Sequence, residues 1–401
     1  MIRYLVKQAL LSLVKLFVFV TIMFFLIQIM MPGDFVDQFS LTMNQRERDA
    51  LREELGLNLP IWQRYLRWMG QILRLDFGES FSILGSGGPP VSAILKTVIP
   101  PTLLVFCTGT ALAFLIGLWL GKVTAWSQQR VVSGIVTLGS LALFTSFPPW
   151  MAWLVTQIFS RQEQFTLVGG SARGLANLPF PGLDRELWRD SPISPDVIAF
   201  RMFLTLLIAT VLFVAIKALA QRYLRLRIPG LVVILLIAAS AVGSWYVMGT
   251  EKMSLDIVNS AWIALVTYTI ISFGETMLIM RSSMTDVMQE EYVNTAKAKG
   301  LPSHIVRERH AARNALLPVL SRLVISLPYL TTGIVIVESA LNWPGIGTAL
   351  WNSLYWQNMP VVMAILLIVG VLSLFARLVL DVLAAYLDPR IRHGEEKPIA
   401  I

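Results

Sequence analysis

Apolar and polar stretches alternate along the whole chain, and the apolar ones are long. Residues 9–31, 102–121, 131–159, 202–219, 228–249, 257–280, 316–340 and 361–380 are runs dominated by Leu, Ile, Val, Phe, Met and Ala. About 20 residues, at roughly 1.5 Å rise each, cross a hydrocarbon core about 30 Å thick. Each run therefore predicts one membrane-crossing helix, because backbone in lipid must satisfy its own hydrogen bonds. Pro148-Pro149 lies inside the third run and predicts a kink or a break, since proline removes a helix donor and clashes with the preceding turn. The fold class that follows is all-α, a polytopic membrane protein of about eight spans.

The polar stretches carry periodicity of their own. Within residues 35–98, helical spacing of apolar positions predicts amphipathic helices over 44–55 and 60–75, with Trp62, Tyr65, Leu66, Trp68 and Met69 suited to a membrane interface. Gly and Pro at 85–90 mark a turn. Residues 161–199 are polar and rich in Gly and Pro, and residues 341–360 contain no charged side chain. The longest charge-rich interval in the second half is 286–320, DVMQEEYVNTAKAKGLPSHIVRERHAARNALLPVL. Thr285 or Asp286 can cap a helix start there, with Glu290 and Glu291 near its positive end and Lys297 and Lys299 in its last turn. Gly300 suits the residue after the helix, and Pro302 blocks simple continuation. Ser303 is then the candidate cap of a second, basic helix. Ala296 and Ala298 leave one patch of the first helix low, open to close approach by another backbone. The alternative is a solvated loop that only joins two spans.

Composition agrees with the pattern. Of 401 residues, 55% are hydrophobic and 14% charged, with a mean hydropathy of +0.66; a soluble domain carries nearer a quarter charged residues. The net charge of +8 fits basic cytoplasmic loops and anionic membrane lipid, not nucleic acid. Arg3 and Lys7 place the first run's leading end inside, and the run reads as a retained span, being long and without a small-residue cleavage site. Arg222, Arg225 and Arg227 place the turn between the fourth and fifth runs inside as well. By parity the 286–320 loop then faces the cytoplasm, as do both termini. The single cysteine, Cys107, reads as a small buried hydrophobe.

The catalytic vocabulary is sparse. No GxxxxGK[ST] phosphate loop is present, so ATP hydrolysis is not expected of this chain, and no HExxH or paired-carboxylate site is evident. His304, His310 and His393 read as loop or tail residues. Charges at membrane depth are expensive. Glu275 and Arg322 lie near inner span ends, where they can snorkel, pair with each other or serve in gating. Glu338 lies near an outer span end, where it can order the outer loop or substrate entrance, or reach headgroup water.

EYVNTAKAKG (291–300) followed by HAARNALLPVL (310–320) resembles the cytoplasmic loop of ABC-importer permeases of the dipeptide and oligopeptide branch. LGLNLPIWQRYLRWMGQILRLDFGESF (55–81), LNWPGIG (341–347) and LDPRIR (387–392) resemble further segments of that family, in order. The resemblance implies six family-type spans, to which residues 200–250 add an inserted two-helix hairpin that leaves the parity unchanged. It divides the chain into a first span (1–31), an extracytoplasmic helical segment (32–98), a permease domain (99–392, with a coupling loop at about 281–315) and a cytoplasmic tail (393–401). It also implies that Asn294, Thr295 and Ala296 stand in the three places of the family's EAA motif, without its Glu and first Ala, and that Gly300 is its Gly. ATPase coupling would then fall to Glu291, Tyr292, Asn294, Thr295, Ala296, Lys297, Gly300, His310, Arg313 and Asn314. The outer loop or gate would involve Glu338, Trp343, Pro344, Gly345 and Gly347. The implied partners are a second homologous permease subunit, two ATP-binding subunits that hold the ATP and Mg, and an extracytoplasmic substrate-binding protein, all at a prokaryotic inner membrane. The chain itself would carry no cofactor. Two other readings of the residues stay open: an ion-gradient-driven secondary transporter, which needs ionisable midplane residues that these spans offer sparsely, and a membrane anchor or assembly factor.

Overall fold

The computed structural model describes residues 2–30, 33–82, 88–127, 129–159, 183, 185–189, 191–223 and 228–387. Arg225, Arg227, most of the 161–199 stretch, the LDPRIR end beyond Leu387, and His393 with the tail lie outside the described residues. Among the described residues the regular secondary structure is helical, apart from one isolated bridge between Glu79 and Pro90. In order come α1 (Ile2–Met30), a 3-10 turn (Phe35–Phe39), α2 (Gln45–Glu54), α3 (Ile61–Leu73), α4 (Val91–Trp126), α5 (Arg130–Phe144), α6 (Pro148–Phe159) and α7 (Arg185–Arg189). There follow α8 (Pro195–Tyr223), α9 (Gly230–Val247), α10 (Glu251–Val287), α11 (Glu291–Ala298), α12 (Ser303–Ile305), a π-helical segment (Val306–Ala311), α13 (Ala312–Leu341), α14 (Ile346–Tyr355) and α15 (Met359–Leu387).

Among the described residues, five helices are long and apolar enough to cross a membrane: α1, α4, α8, α9 and α10. Helices α5 and α6 make a sixth if taken as one span; they meet at a bend of 110°. The expected break at Pro148-Pro149 is thus a full change of direction, with α6 starting on the first proline, where its missing N–H costs no hydrogen bond. Helices α13 and α15 add 30 and 29 residues.

Several helices outrun their apolar runs. α4 starts at Val91, ahead of the run at 102, and carries Pro100 and Pro101 inside it. The lost backbone bonds are offset by packing: Val91, Ile94, Leu95 and Val98 form one buried cluster with Ile346 and Ala349 of α14 and Val361, Ala364 and Ile365 of α15. The central pair is α4 with α10. Small residues of α4 recur every fourth position at Gly109, Ala113, Gly117 and Gly121, so the two backbones come close. A Cβ at Gly117 would lie 2.7 Å from the Phe273 carbonyl, and one at Gly121 2.7 Å from Met280 Cβ. Buried Tyr268 of α10 lies against Gly109, with its hydroxyl 3.3 Å from that of Thr110. The α8–α9 hairpin joins this core through Ile198, Ala199, Met202, Ala241 and Trp245.

The amphipathic helices expected over 44–55 and 60–75 are α2 and α3. Tyr65 and Trp68 of α3 pack on Phe24 and Phe25 of α1, with Phe24 and Trp68 stacked at a ring-centre distance of 5.4 Å. Thr21 and Tyr65 share a 2.8 Å hydrogen bond. Trp62 and Leu66 stay exposed. Cys107 is not buried as expected: it sits on an exposed side of α4, where a thiol is as compatible with lipid as the apolar side chains around it.

Candidate functional site

The charge-rich loop folds into a docked helix and a rod. Neither Thr285 nor Asp286 caps a helix, contrary to expectation: both lie in the last turn of α10, which runs on to Val287. Packing extends it, because Met280 and Met284 below that turn are buried in the loop's own core. Glu290, in extended conformation, precedes α11 instead. Gly300 has φ +73°, the left-handed geometry that glycine adopts at least cost after a helix, and its N–H donates to the Lys297 carbonyl at 3.0 Å. Ser303 is the first residue of α12 and Pro302 stands at the cap, where no side-chain oxygen is available. From Ser303 the chain is helical without interruption to Leu341, through the π segment that contains His310.

Helix α11 presents two faces. Val293 and Ala296 are buried in one cluster with Met280, Met284, Val306, Ala311, Ala312, Ala315 and Val319. Ala296 is therefore not part of a low outer patch: its small side chain faces inward, into the cluster with Ala311 of the π segment and Ala312 and Ala315 at the start of α13. Glu291, Asn294, Thr295 and Ala298 form the opposite, exposed face. The flanks are braced. Tyr292 Oη accepts a 2.8 Å hydrogen bond from Asn314 Nδ2, and Lys297 Nζ lies 5.6 Å above the Trp126 ring, within cation–π range. Lys122 Nζ meets Glu308 at 2.7 Å, and Arg307 Nε meets it at 3.0 Å. Partial burial disfavours the charged Glu308, but Lys122 and then Arg307 outweigh it and hold the carboxyl below its ordinary range. Arg313 is exposed and His310 half-buried.

Deeper along the rod, Arg322 Nε of α13 meets Glu275 Oε1 of α10 at 3.3 Å. Because both helices overrun their apolar runs, this pair stands about three turns inside Val287 and Ala312.

The second cluster lies at the far end of α13. Asn342, with φ 52°, ends the helix. Glu338 is wholly buried and so does not reach headgroup water; its Oε2 accepts the Gly347 N–H at 2.7 Å. Trp343 is buried and donates its indole N–H to the Pro101 carbonyl at 3.3 Å. Pro344 is buried too. Only glycine fits the two turns around the carboxylate: a Cβ at Gly345 would lie 2.3 Å from the Glu338 carboxyl group, and one at Gly347 2.4 Å from the Val335 carbonyl. Much of the uncharged stretch at 341–360 is thus a helix, α14, latched by Glu338. Sequence reasoning missed two partners of this latch. Thr102 Oγ1 accepts the Ile346 N–H at 2.8 Å. Asn358 pairs with the Phe81 backbone, accepting its N–H at 3.2 Å and donating to its carbonyl at 3.4 Å. The available signal was a lone polar residue at the edge of each apolar run.

The family model described as "Binding-protein-dependent transport system inner membrane component" matches residues 180–393, and that of the corresponding N-terminal region matches residues 1–88. A protein of Brucella suis biovar 1 named among peptide permeases is 27% identical over 395 residues, covering 98% of this chain and 99% of that protein. The oligopeptide transport system permease protein of Bacillus subtilis is 26% identical over 394 residues, 98% of this chain and 100% of its own. The dipeptide transport system permease protein of Lactococcus lactis subsp. cremoris is 25% identical over 392 residues, again 98% and 100%.

Proposed function

We propose that this chain, which belongs to the family of binding-protein-dependent transport system inner membrane components and is a permease subunit of an ABC importer, forms half of a translocation path for peptides and is driven through α11. The other half comes from a second, homologous permease subunit. Two ATP-binding subunits, which hold the ATP and Mg, grip the exposed face of α11 from the cytoplasm, and an extracytoplasmic binding protein delivers cargo at the α14 end. In this reading eight spans cross a bacterial inner membrane, with α8 and α9 as the added hairpin, and α11 faces the cytoplasm. The observation that carries the coupling role is the division of α11 into a buried anchor face and an exposed face, on a helix docked to the base of the rod that ends at Leu341. A push on α11 is thereby transmitted to α13 as rigid-body motion, the general means by which hinge and shear transitions couple distant sites. Peptides as cargo rest on the names of the relatives.

Thr295→Arg combined with Ala298→Arg tests the docking role, because both positions are exposed and neither change enters the core. In proteoliposomes with the partner subunits, the double variant is expected to lose ATP-dependent uptake of a labelled peptide while retaining the wild-type melting temperature. Uptake at the wild-type rate would refute the role.

A further inference from the structure

The side chains that the long helices turn outward are of two kinds. On α1, α4, α5, α8 and α9 they are mostly large and apolar, for example Leu13, Trp119, Ile135, Val211 and Leu235, each at least 60% exposed. That surface suits lipid. The loop-proximal halves of α10 and α13, residues 270–287 and 312–322, are different. Their exposed residues are Ser282, Thr285 and Asp286 on α10 and Arg313, Asn314, Pro318, Ser321 and Arg322 on α13. Among the described residues, no large apolar side chain is exposed on either stretch. At 3.6 residues per turn, Glu275, Ser282 and Asp286 fall on one stripe of α10, while Asn314, Pro318, Ser321 and Arg322 fall on one stripe of α13. The Glu275–Arg322 contact joins the two stripes.

Arg322 is the informative residue. It meets Glu275 through Nε at 3.3 Å, yet its side chain remains 56% exposed, against 18% for Glu275. Charged residues inside spans face a bundle interior or a water-filled cavity, because lipid is too costly a neighbour. The guanidinium fork binds carboxylates edge-on through two parallel N–H groups. A half-exposed ion pair is weak, so a competing carboxylate can displace Glu275 and leave again.

We propose that the joined stripes of α10 and α13 border the aqueous path, and that Arg322 is a transient binding point for carboxylate-bearing solutes, with Glu275 as its resting counter-ion. The cargo carboxylate takes the exposed edge of the guanidinium, and Glu275 takes it back as the cargo moves on. This deepens the permease reading and rests on it.

The test uses the full importer in proteoliposomes. In a Cys107→Ser background, the thiol of a Ser321→Cys variant is probed with a membrane-impermeant methanethiosulfonate present on both faces. Uptake of labelled trialanine is compared with that of its C-terminal amide, for wild type, Arg322→Gln and Arg322→Lys. The expected results are a thiol reacting within about tenfold of an exposed loop thiol placed by Ser303→Cys, a loss of tenfold or more in free-acid uptake with Arg322→Gln, unchanged amide uptake, and partial recovery with Arg322→Lys. An unreactive thiol, meaning a stripe covered by lipid or a second subunit, overturns the proposal, as does an equal loss for both peptides. No ATP-dependent uptake of either peptide by wild type would instead remove the peptide-translocation reading, and the carboxylate role with it, even where the thiol reacts.

Discussion

At the scale of single residues, most of the informative contacts are between one side chain and a backbone group. Glu338 holds the Gly347 N–H in a site with no access to water. Replacing it with Ala leaves that donor unpaired, a loss of about 1–3 kcal/mol, and lowers the melting temperature in detergent; Glu338→Gln keeps an acceptor and is expected to lose less. Gly345→Ala forces a methyl group against the carboxylate and is expected to destabilise by a similar amount, about 1–3 kcal/mol. The Glu308 cluster makes a prediction about pH. Its folded carboxyl titrates below the ordinary value of about 4.3, so its contribution to stability is complete above that value. It disappears as pH falls through the lower, folded value. Glu308 is 43% exposed, so solvent screening limits the contribution to about 1 kcal/mol or less. Acid melts of wild type and Glu308→Gln should therefore converge at low pH and separate above pH 5, with a constant gap at all pH values counting against the assignment.

At the scale of elements, α11 separates two roles that are mixed in the linear sequence. Its buried residues hold it to the base of α13; its exposed ones are available to a partner. Val293→Asp would place an unpaired charge in the cluster with Met280, Met284 and Val319, a class of change that costs several kcal/mol. The expected result is loss of protection of the α11 amides in hydrogen exchange, with α4 and the central part of α10 still protected. Protection equal to wild type across α11 would show that this contact does not anchor the helix. The π segment at the base of the rod is a second feature of this scale, a wider turn placed where helices at functional sites often carry one.

At the scale of the whole molecule, the question is which side of the membrane each element occupies. The sum of the expected spans places α11 and Ser303 inside. In a Cys107→Ser background, the thiol of Ser303→Cys is expected to react with an impermeant maleimide in inside-out vesicles and not in right-side-out ones, and the reverse pattern would refute both the topology and the coupling role. The interior is organised around the α4–α10 contact, where residues without bulk let two long helices close on each other, the usual solution when lipid offers no hydrophobic driving force for helix association.

By itself the sequence determined that the chain is helical and membrane-embedded, roughly where the helices run, that Pro148-Pro149 interrupts one of them, and that Gly300 ends α11. Each follows from local chemistry: length of apolar run, missing donors, or a positive φ. The tertiary structure alone decided which face of α11 is buried, so that Ala296 serves the fold and Thr295 stays available. It also carried α4 through two prolines and α10 past its apolar run, because packing from distant helices outweighs local propensity. It folded Glu338 back onto Gly345 and Gly347, and it set Thr102 beside Ile346, a contact between residues far apart in sequence that no local spacing encodes. It brought Glu275 and Arg322 together and left the arginine facing outward, since exposure depends on which neighbours arrive and not on a residue's own chemistry.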